Sequence, residues 1–183
     1  YFSATEIVTV LNYLKVCDNP LQDIPLMGVL RSPIVGCTSQ ELAELRILYP
    51  DGLLYESVSA YAGENEIPEK ELDPDKLKSE LSNSNLRTDE KNSLNIKLKG
   101  FLSLLEKVRN MAAYTPVHEL ILYVLKETGY GDYARALPGG EQRFANLTML
   151  VEKAMDYEKT SYRGLFNFVR YIEQLQAYQE DYG

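Results

Sequence analysis

Residues 18–42 read DNPLQDIPLMGVLRSPIVGCTSQEL, with three prolines, two glycines and a single arginine in a chain whose flanks are patterned as helices. Upstream, Ile7, Val10, Leu11 and Leu14 recur at i, i+3, i+4 and i+7, the spacing that lines up one face of a helix. Asn19-Pro20 ends that pattern, because proline removes an N–H and clashes with the preceding turn. Ser3-Ala4-Thr5-Glu6 before it has the form of a capping box. Asp23-Ile24-Pro25 can start a short helix with Leu26, Val29 and Leu30 on its buried side, and Ser32-Pro33 stops it. Thr38-Ser39-Gln40-Glu41 is a second capping box, followed by Leu42, Leu45 and Leu48. The quoted stretch therefore connects helices.

The same reading extends downstream. Leu53 to Ala62 suits one more short helix. Residues 63–95 are highly polar and are expected to form a linker or a loosely packed excursion. Leu94, Leu98, Phe101, Leu105 and Val108 then return to helical spacing. Thr115-Pro116 supplies a cap and a helix-starting proline for a segment running to Gly129 with Val117, Leu120, Ile121, Val124 and Leu125 on its face. GYGDY and LPGGEQ are turns around a short segment. Two last helices carry Phe144, Leu147, Leu150, Val151 and Ala154, then Leu165, Phe168, Val169, Ile172 and Leu175. Neither a strand pattern nor a repeat of fixed period stands out, so the expected fold class is all-α.

Composition narrows the function. A chain of 183 residues with 45% hydrophobic content can bury a core. Nineteen basic against 27 acidic residues give a net charge of -8, so attraction to nucleic acid or to an anionic membrane must be local. No apolar run approaches the roughly 20 residues of a membrane helix. Cys17 and Cys37 do not form a C-x-x-C pair and suit a reducing, intracellular setting as two free thiols better than a disulfide framework, with a single bridge between them as the alternative. The first methionine is Met27, and the chain is expected to be a piece excised from a larger protein.

Candidate chemistry is sparse. None of the eleven glycines precedes a lysine, so there is no P-loop to cradle a nucleotide. One histidine and two scattered cysteines cannot by themselves close a structural zinc or iron–sulfur site. His118 is read as structural. Asp89-Glu90 and the Glu69/Glu71 pair are read as solvated charge rather than magnesium ligands, and no nucleophile–base pair marks a hydrolase. Most of the fourteen tyrosines, among them Tyr13, Tyr123, Tyr157 and Tyr171, lie beside apolar helical positions, which favours packing over base stacking.

Three longer motifs are specific together: YFSATEIVTVLNYLKVCDNPLQDIPLMGVLRSPIVG, GGEQRFANLTMLVEKAMDYE and YRGLFNFVRYIEQL. The first resembles the start of the 2B subdomain of UvrD-like superfamily-1 DNA helicases. All three resemble most closely the AddA (RexA) subunit of bacterial AddAB-type helicase–nucleases. The resemblance implies an irregular multi-helix bundle of the 2B type, one subdomain over 1–183 with helical parts at 1–62 and 96–183. It implies a cytoplasmic parent that unwinds duplex DNA with ATP and magnesium and degrades it during double-strand-break repair. The motor motifs, the nuclease carboxylates and an iron–sulfur cluster would then lie elsewhere in that parent, leaving this segment noncatalytic and without a cofactor of its own. Implied partners are duplex DNA, bound weakly by the segment alone, the parent's motor domains and an AddB-like (RexB-like) subunit. No membrane partner is implied.

In the helicase relatives a turn, often Gly-Ile-Gly before a helix, approaches the duplex. Gly36 is the part of that pattern present here, beside Val35 and Cys37. Glycine lets a backbone come close, and the amides at the start of the Thr38 helix suit a phosphate oxygen. Arg31, Ser32, Gly36, Thr38 and Ser39 are therefore the DNA-contact candidates, with Arg143 as a sixth. Against that stands a plain reading in which Gly36 permits a turn, Thr38 caps a helix, and Arg31 and Arg143 pair with carboxylates. A different class of function, a helical protein-interaction scaffold, is the alternative to the helicase reading as a whole.

Overall fold

The computed structural model describes residues 1–48, 50–63, 86–160 and 163–182. Those residues form helices α1 (Thr5–Asp18), α2 (Asp23–Arg31), α3 (Ser39–Leu48), α4 (Leu54–Ala62), α5 (Thr88–Met111), α6 (Val117–Glu127), α7 (Tyr130–Ala136), α8 (Gly140–Glu158) and α9 (Leu165–Tyr182), with no strand among them. The all-α expectation holds. Two compact units are present, one made of Tyr1–Asn19 with Glu106–Gly183 and the other of Pro20–Leu105.

In the first unit α1 packs on α8 and α9, while α6 and α7 pack on α8. The predicted face of α1 is the buried one, with Ile7, Val10 and Leu14 at 0–1% exposure. Burying side chains of that size contributes about 1.5–3 kcal/mol each. Tyr157 of α8 meets two rings of α9, Phe168 edge-on at 5.5 Å and Tyr171 stacked at 5.0 Å. The end of α1 is closed by Arg109, whose Nε donates to the Cys17 carbonyl at 3.1 Å. Phe144, expected in the core, is 36% exposed and lies beneath the Arg135 guanidinium at 4.5 Å.

The predicted start signals of two helices work differently from expectation. Ser3 does not cap α1: Ala4 occupies the cap with no side-chain bond. Glu6 cannot reach back because its carboxylate is committed to α8, where Arg143 Nη1 and Asn146 Nδ2 donate to it at 2.9 and 2.7 Å. Likewise Thr115 makes no side-chain cap on α6. Glu158 does so from α8, accepting the Val117 N–H on one oxygen and meeting His118 Nδ1 with the other. His118 is thus held as part of a helix junction, in keeping with its structural reading.

The second unit packs α2, α3 and α4 against one another. Asp23 ties them, taking the Leu54 N–H at 2.9 Å and Arg46 Nη2 at 3.1 Å. Leu26, Val29 and Leu30 are fully buried, as the spacing predicts. Helix α5 begins at Thr88, inside the stretch expected to be a linker. Glu90 accepts the Arg87 N–H at 2.8 Å to start it, and Leu86 and Leu94 are buried. Residues 64–85, including Glu69 and Glu71, lie outside the described residues.

Candidate nucleic-acid interface

The connection between α2 and α3 is a hydrogen-bonded turn. Ser32 closes α2 by donating its hydroxyl to the Val29 carbonyl at 2.7 Å and accepting the Ile34 N–H at 3.3 Å. Its carbonyl then accepts the Gly36 N–H at 2.7 Å, and the Cys37 N–H returns to Leu30 at 2.9 Å. Gly36 sits at φ +75°, where an L side chain is strained. A Cβ there would meet nothing within 4 Å, so conformation, not crowding, calls for glycine.

The capping box behind the turn is reciprocal, as predicted: Thr38 N–H donates to Glu41 Oε2 at 2.7 Å and Glu41 N–H to Thr38 Oγ1 at 3.2 Å. The amides of Ser39 and Gln40 have no acceptor among the described residues. Lys97 of α5 reaches the same place, its Nζ 3.0 Å from the Gly36 carbonyl and 2.9 Å from both Glu41 oxygens. Cys37 is buried beneath, and burial, with Glu41 adding to it, pushes its thiol up to about 11.

The six candidate residues separate by their surroundings. Arg31, Gly36, Thr38 and Ser39 are exposed on one turn of the second unit. Arg31 has no ion-pair or hydrogen-bond partner among the described residues, so the carboxylate that would make it structural is not found there. Ser32, by contrast, is buried with its hydroxyl used in the turn. Arg143 belongs to the first unit, where it pairs with Glu6 and donates Nε to the Pro138 carbonyl at 3.1 Å. Its surroundings are those of the structural ion pair.

Glu6 is 3% exposed. Burial alone would raise its pKa, but the hydrogen bonds from Asn146, its own amide and Arg143, together with the Arg143 charge, outweigh that and hold it below the ordinary carboxylate value. Neither this cluster nor Lys97 is named by any local motif. Glu6 does carry one readable signal, since it precedes Val10 and Tyr13 at i+4 and i+7 on the buried face and so needs donors from another helix. Lys97 carries none. No group of three His, Cys, Asp or Glu side chains able to hold a metal occurs among the described residues, and none of the described helices is long and apolar enough to cross a membrane.

Comparison with known proteins gives this geometry its context. No family model matches the chain. It is, however, 43% identical over 183 residues to the AddA-type ATP-dependent helicase/nuclease protein of Bacillus velezensis, covering all of this chain and 13% of that protein. The corresponding protein of Lachnoclostridium phytofermentans is 40% identical over 205 residues, covering all of this chain and 15% of its own length. That of Anoxybacillus flavithermus is 40% identical, again over the whole chain and 13% of the relative. The chain is homologous, end to end, to a segment of the AddA helicase/nuclease. It spans about one seventh of the length of those curated relatives. The helicase/nuclease homology agrees with the resemblance drawn from the three sequence motifs.

Proposed function

We propose that this chain is the accessory 2B subdomain of an AddA-like helicase–nuclease, noncatalytic by itself, whose α2–α3 turn guides duplex DNA during unwinding. The observation that carries the reading is Arg31: an exposed guanidinium, unpaired among the described residues, beside a positive-φ glycine in a chain otherwise rich in acid. Homology to the helicase/nuclease supplies the partner class. A phosphate seated at the turn takes the Arg31 charge and the open amides of Ser39 and Gln40, while Thr38 and Ser32 hold the backbone in place. Contacts of this kind position DNA without reading its sequence. Arg143 is then a bracing residue, and the two units together make up the subdomain.

The rest of the parent supplies the chemistry in this reading. ATP and magnesium act at motor motifs outside the segment, and the iron–sulfur cluster belongs to the nuclease. The motor domains and an AddB-like subunit are the protein partners, in the cytoplasm. The test uses the full-length parent with its partner subunit. Arg31→Ala is expected to weaken duplex binding and unwinding and to reduce the salt slope of binding by about one, with single-strand-stimulated ATPase retained. Gly36→Ala is expected to act in the same direction by straining the turn. Unwinding that stays at the wild-type rate across a salt series refutes the proposal and returns the scaffold reading.

A further inference from the structure

The proposed contact turn is braced by a residue that lies far from it in sequence. Lys97 Nζ contacts three acceptors at once, the Gly36 carbonyl and both oxygens of Glu41, at 2.9–3.0 Å. Glu41, its side chain only 5% exposed, also accepts the Thr38 N–H. One ammonium thus holds the carbonyl of the positive-φ residue and the carboxylate that caps the next helix. Three consecutive features of the turn, at 36, 38 and 41, are joined through Nζ, and all lie in the same unit.

Charge makes the arrangement more than a brace. The Glu41 carboxylate lies at the start of α3, where it would repel a phosphate brought to the turn. Lys97 neutralises it there. Arg31 and Lys97 against Glu41 leave the turn with one net positive charge; without Lys97 it would be neutral, and without the Glu41 charge it would carry two. Glu44, the next acid along α3, is buried, and the Tyr61 hydroxyl is pushed up to about 12 by burial and then by the charges of Glu44 and Glu41.

Building on the duplex-contact reading, we infer that Lys97 and Glu41 are positioning residues that fix both the shape and the net charge of the α2–α3 turn, with Lys97 cancelling a carboxylate that opposes the DNA phosphate. A purely structural capping role makes a different prediction for Glu41→Gln. The amide oxygen of glutamine can still take the Thr38 N–H, so the fold is kept while the repelling charge is gone.

The experiment measures binding of a fluorescein-labelled blunt-ended duplex by the full-length parent with its partner subunit over a salt series. Glu41→Gln is expected to tighten binding about threefold at low salt, with the gain fading as salt rises. Lys97→Met is expected to weaken it by at least a similar factor. Lys97→Arg should stay near wild type, and adding Glu41→Gln to Lys97→Met should recover about threefold of the binding lost by Lys97→Met alone, the part owed to charge rather than to the brace, since a unit charge near a phosphate in water has an effect of that order. Should Lys97→Met lower the melting temperature, Glu41→Gln still decides. Weakening by Arg31→Ala without tightening by Glu41→Gln overturns this inference and leaves the duplex contact standing. No effect of Arg31→Ala overturns both.

Discussion

Gly140 offers a sharp test of the packing in the first unit. A Cβ built on it would lie 1.8 Å from the carbonyl oxygen of Arg135 and 2.6 Å from that carbonyl's carbon. Both obstructing atoms are backbone, so no side-chain rotation relieves the contact. The start of α8 would have to move by more than 1 Å, on the order of the shortfall from ordinary van der Waals separation. Movement there also draws Arg143 and Asn146 away from Glu6, leaving a nearly buried carboxylate without its donors. Overpacking alone costs about 1–3 kcal/mol, and the loosened ion pair adds to it, so Gly140→Ala is expected to destabilise the unit by about 3 kcal/mol or more. Gly100 is the internal control. It lies within α5, where an added Cβ meets nothing within 4 Å, and Gly100→Ala should stabilise by about 1 kcal/mol through helix propensity. Thermal unfolding followed by circular dichroism should then show a fall of about 6–12 °C for Gly140→Ala and a rise of about 2–4 °C for Gly100→Ala. A Gly140→Ala protein that melts with the wild type would refute the close backbone approach.

Two further outcomes follow from the buried polar groups. Glu6 has a depressed folded-state pKa; its stabilisation is complete above the unfolded carboxylate value of about 4.3. It is lost as pH falls through the lower folded value, so a Glu6→Gln protein should be less stable near neutrality and show a shallower loss on acidification. Equal slopes for the two proteins in acid would count against the Arg143–Asn146 arrangement. Cys17 and Cys37 are both buried, and burial raises both thiols. Each should react slowly with an aromatic disulfide reagent in the folded chain at pH 8 and rapidly in denaturant; a fast-reacting thiol in the native protein would contradict that burial.

What the sequence disclosed depended on whether a structural cause was local. Leu26, Val29 and Leu30 announced α2 by spacing, and Thr38 with Glu41 announced α3, because both halves of that cap sit within four residues. Ser3 and Glu6 carried the same pattern without the same outcome, since donors on α8 claimed the carboxylate. Thr115 lost its role to Glu158 in the same way. The first turns of α5 were hidden because Thr88–Lys91 present polar side chains to solvent, and a helix whose start has no apolar stripe cannot be told from a linker by periodicity. At the candidate interface, Arg31, Gly36, Thr38 and Ser39 were legible as a group on one turn. The separation of Ser32 and Arg143 from them, and the arrival of Lys97, needed tertiary contacts.

The first unit is built from the two ends of the chain, and this bears on how it is made. Glu6 meets Arg143 only across a separation of 137 residues, so a chain emerging from the ribosome presents α1 with its apolar stripe long before α8 and α9 exist to cover it. Helices α2, α3 and α4 of the second unit, which pack on one another, can close together in the meantime. Bringing the ends together over so long an intervening stretch adds little entropic cost beyond that of a shorter one, because the penalty grows only with the logarithm of length. The delay, rather than the loop, is where a nascent polypeptide of this kind is exposed to aggregation.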